Sequence, residues 1–179
     1  GIWVEEREIA QRLNGPFLLG RACGLDRGSR LQVLDATAGL GIDGLALSRR
    51  GAVVHLVERD PVLWALLKDL LRRMRGPDVK LTLNDSKRLL EEEGDFDVVY
   101  FDPMFPHRRK SALPGKRMQY LGALLDQSAP FDMDVIPLAQ SRARSRVVLK
   151  RRLKDPVEMP PDWTLRGRTV RYDVYRGLA

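Results

Sequence analysis

The sequence predicts an α/β protein: a seven-stranded, mostly parallel sheet closed by an antiparallel C-terminal hairpin. Three observations carry this expectation. Short apolar runs alternate with helical patterns, a glycine-rich turn follows the first of those runs, and "DWTLRGRTVRYDVYRG" alternates apolar and polar residues around Gly167. Alternating β and α units give a parallel sheet covered on both faces, and an alternating pair of runs about a turn residue gives a hairpin.

Each element can be argued in order. Residues 1–30 read as an N-terminal helical extension of one or two short helices, with Pro16 suited to start the second. The main domain then covers 31–179. "LQVLDA" is the first strand, "IDGLALSRRG" a helix with Gly51 at its C-cap, and "AVVHLVE" the second strand. Asp60 caps the next helix and Pro61 fits its first turn, followed by an apolar stripe through Leu63, Leu67, Leu70 and Met74. "VKLTL", "DSKRLLEE" and "FDVVYF" continue as strand, helix and strand; helical stretches lie between Lys116 and Arg142, and "RVVLK" is a fifth strand.

Composition bounds the function. With 179 residues, 44% of them hydrophobic and 31% charged, the chain has the make-up of a single globular domain. No apolar run reaches the ~18 residues of a membrane span. The single cysteine, Cys23, excludes an internal disulfide framework and suits the reducing cytoplasm; two histidines and one cysteine without ligand spacing give no metal site. The sequence does not fix the oligomeric state, and a monomer is compatible with it. The net charge of +7 is unevenly spread: Pro103 to Leu125 holds five Lys/Arg and no acid, and Val135 to Lys154 holds seven and no acid. Two acid-free segments predict a basic face for a polyanion such as RNA, with Arg108, Arg109, Lys110, Lys116, Arg117, Lys150, Arg151 and Arg152 as contacts.

The turn "DATAGLGIDG" contains Gly39, Gly41 and Gly44, a G-x-G-x-x-G pattern at a helix amino terminus. Glu58 follows 19 residues after Gly39, at the end of the second strand, where a carboxylate can accept ribose hydroxyls. A dinucleotide site is permitted by these features, but Asp35 ends the first strand and three residues intervene before Gly39. An acid there repels a pyrophosphate and can orient an ammonium, and Asp43 adds a second carboxylate. This chemistry suits S-adenosyl-L-methionine, which carries a sulfonium and an ammonium and no phosphate. Asp85 and Ser86, after the third strand, would sit beside the adenine, and Asp85 is equally suited to cap the following helix.

After the fourth strand comes "DPMFPHRRKSA". The Asp102 carboxylate and the Pro103 carbonyl can accept the two N–H bonds of an exocyclic base amine, holding a weak nucleophile in line for methyl transfer. Asp102 can also offset the positive charge that develops on nitrogen. Phe105 can stack on a base turned out of its helix, and the prolines stiffen the loop. The catalytic candidates are therefore Asp102, Pro103 and Phe105.

The motifs "DATAGLGIDG", "VERDP", "VVYFDPMFPHRRKSA" and "VVLKRR" closely resemble the bacterial small-subunit (16S) ribosomal RNA guanine-N2 methyltransferases of the RsmJ type. The resemblance runs from about Gly15 to the end of the chain. It implies a class I, Rossmann-like methyltransferase fold, S-adenosyl-L-methionine as donor, and a guanine N2 in 16S ribosomal RNA or the small ribosomal subunit as target. By motif it implies cofactor contacts at Ile42, Asp43, Glu58, Arg59, Asp85, Ser86 and Asp102, beside Asp35, Gly39 and Gly41 from the turn. Ile42 stands where the family carries an arginine, and Asp85 where it carries a serine. Two other readings compete: a methyltransferase acting on another nucleic-acid amine (adenine N6, or DNA), and a nicotinamide-dependent oxidoreductase. A non-catalytic RNA-binding module with the same fold is a third.

Overall fold

The computed structural model describes residues 17–25, 30–74, 79–92, 94–103 and 131–179. In chain order the elements are α1 (Leu18–Cys23), β1 (Gln32–Asp35), α2 (Ile42–Ser48), β2 (Val53–Glu58), α3 (Pro61–Arg73), β3 (Val79–Leu83), α4 (Ser86–Glu92), β4 (Phe96–Phe101), α5 (Val135–Gln140), β5 (Ala143–Arg152), β6 (Trp163–Arg166) and β7 (Val170–Arg176). The strands form one seven-stranded sheet in the order β3-β2-β1-β4-β5-β7-β6. β1 to β5 pair in parallel, whereas β7 pairs antiparallel with both β5 and β6. The terminal hairpin is thus inserted with its second strand inside and its first strand on the edge.

Side chains alternate across the sheet, so each buried strand feeds two cores. On one face Val33, Leu56, Val98, Tyr100 and Val148 pack with Leu19, Ala22 and Cys23 of α1, Leu45 of α2, and Leu67 and Leu70 of α3. On the other, Leu34, Val57, Val99, Phe101, Val147 and Leu149 pack with Leu89 and Leu90 of α4 and Ile136 of α5. This explains why β1, β2 and β4 read as near-continuous apolar runs, the signature of strands covered on both sides. Burial also pushes the Cys23 thiol far above its ordinary value, which makes it an inert core residue.

The expected boundaries hold to within a few residues, with physical reasons where they move. α3 starts as predicted: Asp60 Oδ1 accepts from the Val62 and Leu63 N–H groups at 2.8 and 2.9 Å. α2 ends at Arg49 rather than Gly51, which instead sits at φ 102° in the following turn. β5 runs longer than "RVVLK" because β4 and β7 flank it along both sides. Pro16 and most of the helical stretch between Lys116 and Arg142 lie outside the described residues; within it, α5 is observed.

Candidate active site

The parallel strands deliver their carboxyl ends to one edge, which brings together Asp35 of β1, Glu58 of β2, Asn84 and Asp85 after β3, and Asp102 after β4. The turn between β1 and α2 lies across this edge. Gly41 occupies it at φ 75°, where a Cβ would also stand 2.6 Å from Leu67 Cδ1. Glycine therefore satisfies both the backbone and the packing of α3 beneath the turn.

Glu58 ties the turn to the end of β2. Its Oε2 accepts from the Gly39 N–H at 2.7 Å and its Oε1 from the Asp60 N–H at 2.8 Å. Burial raises its pKa above the ordinary carboxylate range, opposed by the bonds from Asp60 and Gly39. Each oxygen retains acceptor capacity, since a carboxylate offers about four acceptor sites. Asp35 is more deeply placed, 2% exposed, with its Oδ2 packed toward Gly44 of α2. Burial, and then the neighbouring Asp43 charge, raises its pKa well above normal. Asp35 is thus an acid beneath the turn that holds its proton more tightly than an ordinary carboxyl, screened from the surface by α2.

Asp43 sits in the first turn of α2, where its Oδ2 accepts from the Tyr100 hydroxyl at 2.8 Å and from the Lys150 ammonium at 2.6 Å. The same ammonium lies 2.7 Å from Asp102 Oδ2. Asp102 is positioned a second time through its backbone, whose N–H donates to Thr37 Oγ1 at 2.6 Å. Pro103 is buried beside it. Asp85 caps α4, its Oδ1 accepting from the Lys87 and Arg88 N–H groups at 2.9 and 3.3 Å. Ile42 and Ser86 are half-buried at their helix starts, and Arg59 is exposed after β2.

Two expected RNA contacts are corrected by the fold. Lys150 is 8% exposed and its ammonium is held by Asp43 and Asp102. Arg151 is 5% exposed and bonded to Glu158 and to the Pro156 carbonyl. Neither charge faces outward, because β5 is an interior strand and each side chain turns into one face of the sheet. Arg152 is half-buried at the strand end. Phe105, Arg108, Arg109, Lys110, Lys116 and Arg117 lie outside the described residues. Sequence reasoning missed Thr37, Tyr100 and the inward course of Lys150. One signal for the last was available: with Val148 pointing into the core, period-2 alternation sends Lys150 the same way, and a buried ammonium requires acidic partners.

The donor set decides between cofactors. Among the described residues the edge presents Asp35, Asp43, Glu58 and Asp102, with Lys150 as the buried cation between two of them. A pyrophosphate would face four acids and a single cation that two of them already hold. A sulfonium, an ammonium and a ribose diol complement them, so the residues fit S-adenosyl-L-methionine and argue against a nicotinamide dinucleotide.

Fold and site together define a class I, S-adenosylmethionine-dependent methyltransferase, and the comparisons agree. The family model described as "Putative SAM-dependent methyltransferase" matches residues 5–177. A SAM-dependent methyltransferase from Neisseria gonorrhoeae superposes with a TM-score of 0.72 at 27% identity, covering 94% of this chain and 71% of that one. The T. thermophilus 16S rRNA N2 methyltransferase RsmC, solved with AdoMet and guanosine, shares the fold at a TM-score of 0.65 and 22% identity, over 98% of this chain and 44% of that one. Ribosomal RNA small subunit methyltransferase J from Alkalilimnicola ehrlichii is 41% identical over 98% of this chain and 74% of its own length. The namesake from Legionella pneumophila is 42% identical over 97% and 72%. The chain belongs to the ribosomal RNA small subunit methyltransferase J family and is an S-adenosylmethionine-dependent enzyme.

Proposed function

We propose that this enzyme methylates the exocyclic N2 amine of a guanine in 16S ribosomal RNA, in the cytoplasm. The observation that carries the reading is the placement of Asp102: a strand-end acid whose backbone N–H donates to Thr37 Oγ1 and whose carboxylate accepts from Lys150, beside the acid-lined edge. The relatives named ribosomal RNA small subunit methyltransferase J support the substrate class.

When bound, S-adenosylmethionine supplies an electrophilic methyl group on a sulfonium. The chain's residues do the positioning. Glu58 offers acceptors for the ribose hydroxyls, Asp85 and Ser86 flank the adenine position, and Asp43 with the underlying Asp35 favours cationic groups. Gly39, Gly41, Ile42 and Arg59 line the same edge. Asp102 and the Pro103 carbonyl accept the amine N–H bonds, and Asp102 offsets the charge that grows on nitrogen before its proton departs. Phe105 stacks on the extruded base. Arg108, Arg109, Lys110, Lys116, Arg117 and Arg152 bind RNA phosphates.

Incubation with labelled S-adenosylmethionine and unmodified 16S ribosomal RNA, free or in small subunits, followed by mapping of the methylated base, tests this directly. Label on a guanine N2 is expected, and it should vanish in Asp102→Ala while the fold persists. Label on an adenine, or near-normal turnover in that variant, would sink the reading.

A further inference from the structure

The sequence places Lys150 in a basic run, and the fold removes it from that run. The β4–β5 register pairs Phe101 with Leu149, and the β5–β7 register pairs Lys150 with Tyr172. Lys150 consequently lies on the sheet face that holds Val98, Tyr100, Val148 and Tyr172, beneath the first turn of α2. Its side chain, 10% exposed, reaches Asp43 Oδ2 at 2.6 Å and Asp102 Oδ2 at 2.7 Å. Those two acids belong to different halves of the site: Asp43 to the cofactor helix, Asp102 to the loop that meets the substrate amine.

We propose that Lys150 is a positioning residue for methyl transfer: its ammonium ties the Asp102 carboxylate to Asp43, fixing the rotamer in which Asp102 meets the amine. The assignment rests on the reading of Asp102 as the amine acceptor. Asp102 is 36% exposed. A carboxylate so exposed, on a strand-end loop, can turn to water unless something holds it. Thr37 Oγ1 holds its backbone and Lys150 holds its side chain, so a productive geometry exists before substrate arrives.

The groups facing the ammonium come from four elements: Asp35 from β1, Asp43 from α2, Tyr100 and Asp102 from β4 and its end, and Tyr172 from β7. Burial opposes the charged form of Lys150, but Asp43 and Asp102 outweigh it and raise its pKa, so the cation persists throughout the working range. Two carboxylates, those of Asp43 and Asp102, share this one ammonium, and Asp35 lies within electrostatic reach of it. Removing it takes away the ammonium that contacts both Asp102 and Asp43, which raises the cost of holding the two charges together and favours protonation of Asp102 and loss of its acceptor role.

The test compares wild type, Lys150→Met and Lys150→Arg by carbon-detected titration of labelled aspartate carboxyls, with Asp102→Asn assigning the signal, and by single-turnover transfer from pH 6 to 9. In Lys150→Met the Asp102 midpoint should rise by about one unit or more, as loss of a contacting cation does to a carboxylate. Transfer should fall tenfold or more across the series, because the unheld carboxylate no longer stays aimed at the amine, with S-adenosylhomocysteine affinity changing less than the rate. Lys150→Arg should keep the midpoint near that of wild type. Should Lys150→Met fail to fold, Lys150→Met with Asp43→Asn removes one acid along with the cation, and its Asp102 midpoint is compared with that of Asp43→Asn alone. An unshifted midpoint, or a transfer rate within about twofold of wild type, overturns the assignment. The midpoint is read without RNA or methyl donor. A shifted midpoint in a protein that leaves 16S ribosomal RNA unmethylated therefore counts for Lys150 and against the substrate reading alone.

Discussion

Tyr100 donates its hydroxyl hydrogen to Asp43 Oδ2 at 2.8 Å, joining the centre of the sheet to the first turn of α2. The two are 57 residues apart in sequence, and Tyr100 is fully buried. Burial, and then the Asp43 and Asp102 charges, raises its pKa well above normal, so the phenol remains a donor at every working pH. Tyr100→Phe keeps the ring packing and removes one donor to a buried anion. The expected loss is about 1–3 kcal/mol, the range for hydrogen bonds to charged groups. Urea unfolding midpoints measure it, and S-adenosylhomocysteine affinity should fall in the same variant, because Asp43 loses a fixed donor.

What was legible in the sequence and what was not divides along sequence distance. α3 could be placed from neighbouring residues, since Asp60 and Pro61 mark its start and an apolar stripe runs along it. β3 and β4 match "VKLTL" and "FDVVYF" residue for residue, because β-rich runs between polar stops are local signals. Asp35, Glu58 and Asp102 could be placed at one edge from the parallel topology alone. The Lys150–Asp43 pair spans 107 residues and exists only because β1, β4 and β5 are adjacent and α2 crosses above them. No window of sequence contains both partners, so the pair itself is invisible locally, although alternation with Val148 already turns Lys150 inward. The Gly39–Glu58 bond was hidden for a different reason: spacing marked Glu58 as a ligand acceptor, and the fold also uses it to hold the turn.

Gly44 marks the closest approach of α2 to the sheet. A Cβ there would overlap Leu56 Cδ2 and stand 2.7 Å from Asp35 Oδ2. Both obstacles are buried, so neither can swing into solvent. Gly44→Ala should destabilise the protein by about 1–3 kcal/mol, as overpacking does, in spite of alanine's better helix propensity. The shift pushes the amino terminus of α2 away from the Asp35 strand end. A thermal scan with and without S-adenosylhomocysteine should show a lower melting temperature and a smaller ligand-induced gain than wild type.

Asp35 gives the stability a distinctive pH dependence. Burial, then the Asp43 charge, raises its folded-state pKa well above the unfolded value, so the folded protein binds its proton more tightly than the unfolded chain does. The stability this contributes is present below the ordinary carboxylate range and is lost as pH rises through the folded-state value. Asp35→Asn is neutral at every pH and removes that slope. Urea midpoints measured from pH 5 to 9 should show the variant gaining on wild type as pH rises. A difference that stays constant across the series would mean that Asp35 titrates alike in both states.

Arg171 organises the loop between β5 and β6. It is 4% exposed and pairs through Nε with Asp173 at 3.0 Å. Its terminal nitrogens donate to the carbonyls of Arg152, Leu153, Asp155 and Pro156. Five fixed N–H groups suit this task, and no lysine could reach so many carbonyls at once. Arg171→Met would leave Asp173, 2% exposed, with the Thr164 hydroxyl still donating to it, and would take the Arg171 donor from four carbonyls, of which Pro156 keeps that of Arg151. Breaking one side of a buried ion pair costs about 3–5 kcal/mol, so unfolding should shift strongly toward lower urea. Arg171→Met with Asp173→Leu removes both charges and should recover part of that loss, because no buried anion remains. The freed carbonyls are common to both variants. Hydrogen exchange in residues 153–162 should therefore be faster than wild type in each, which separates the loop-holding role of Arg171 from its pairing with Asp173.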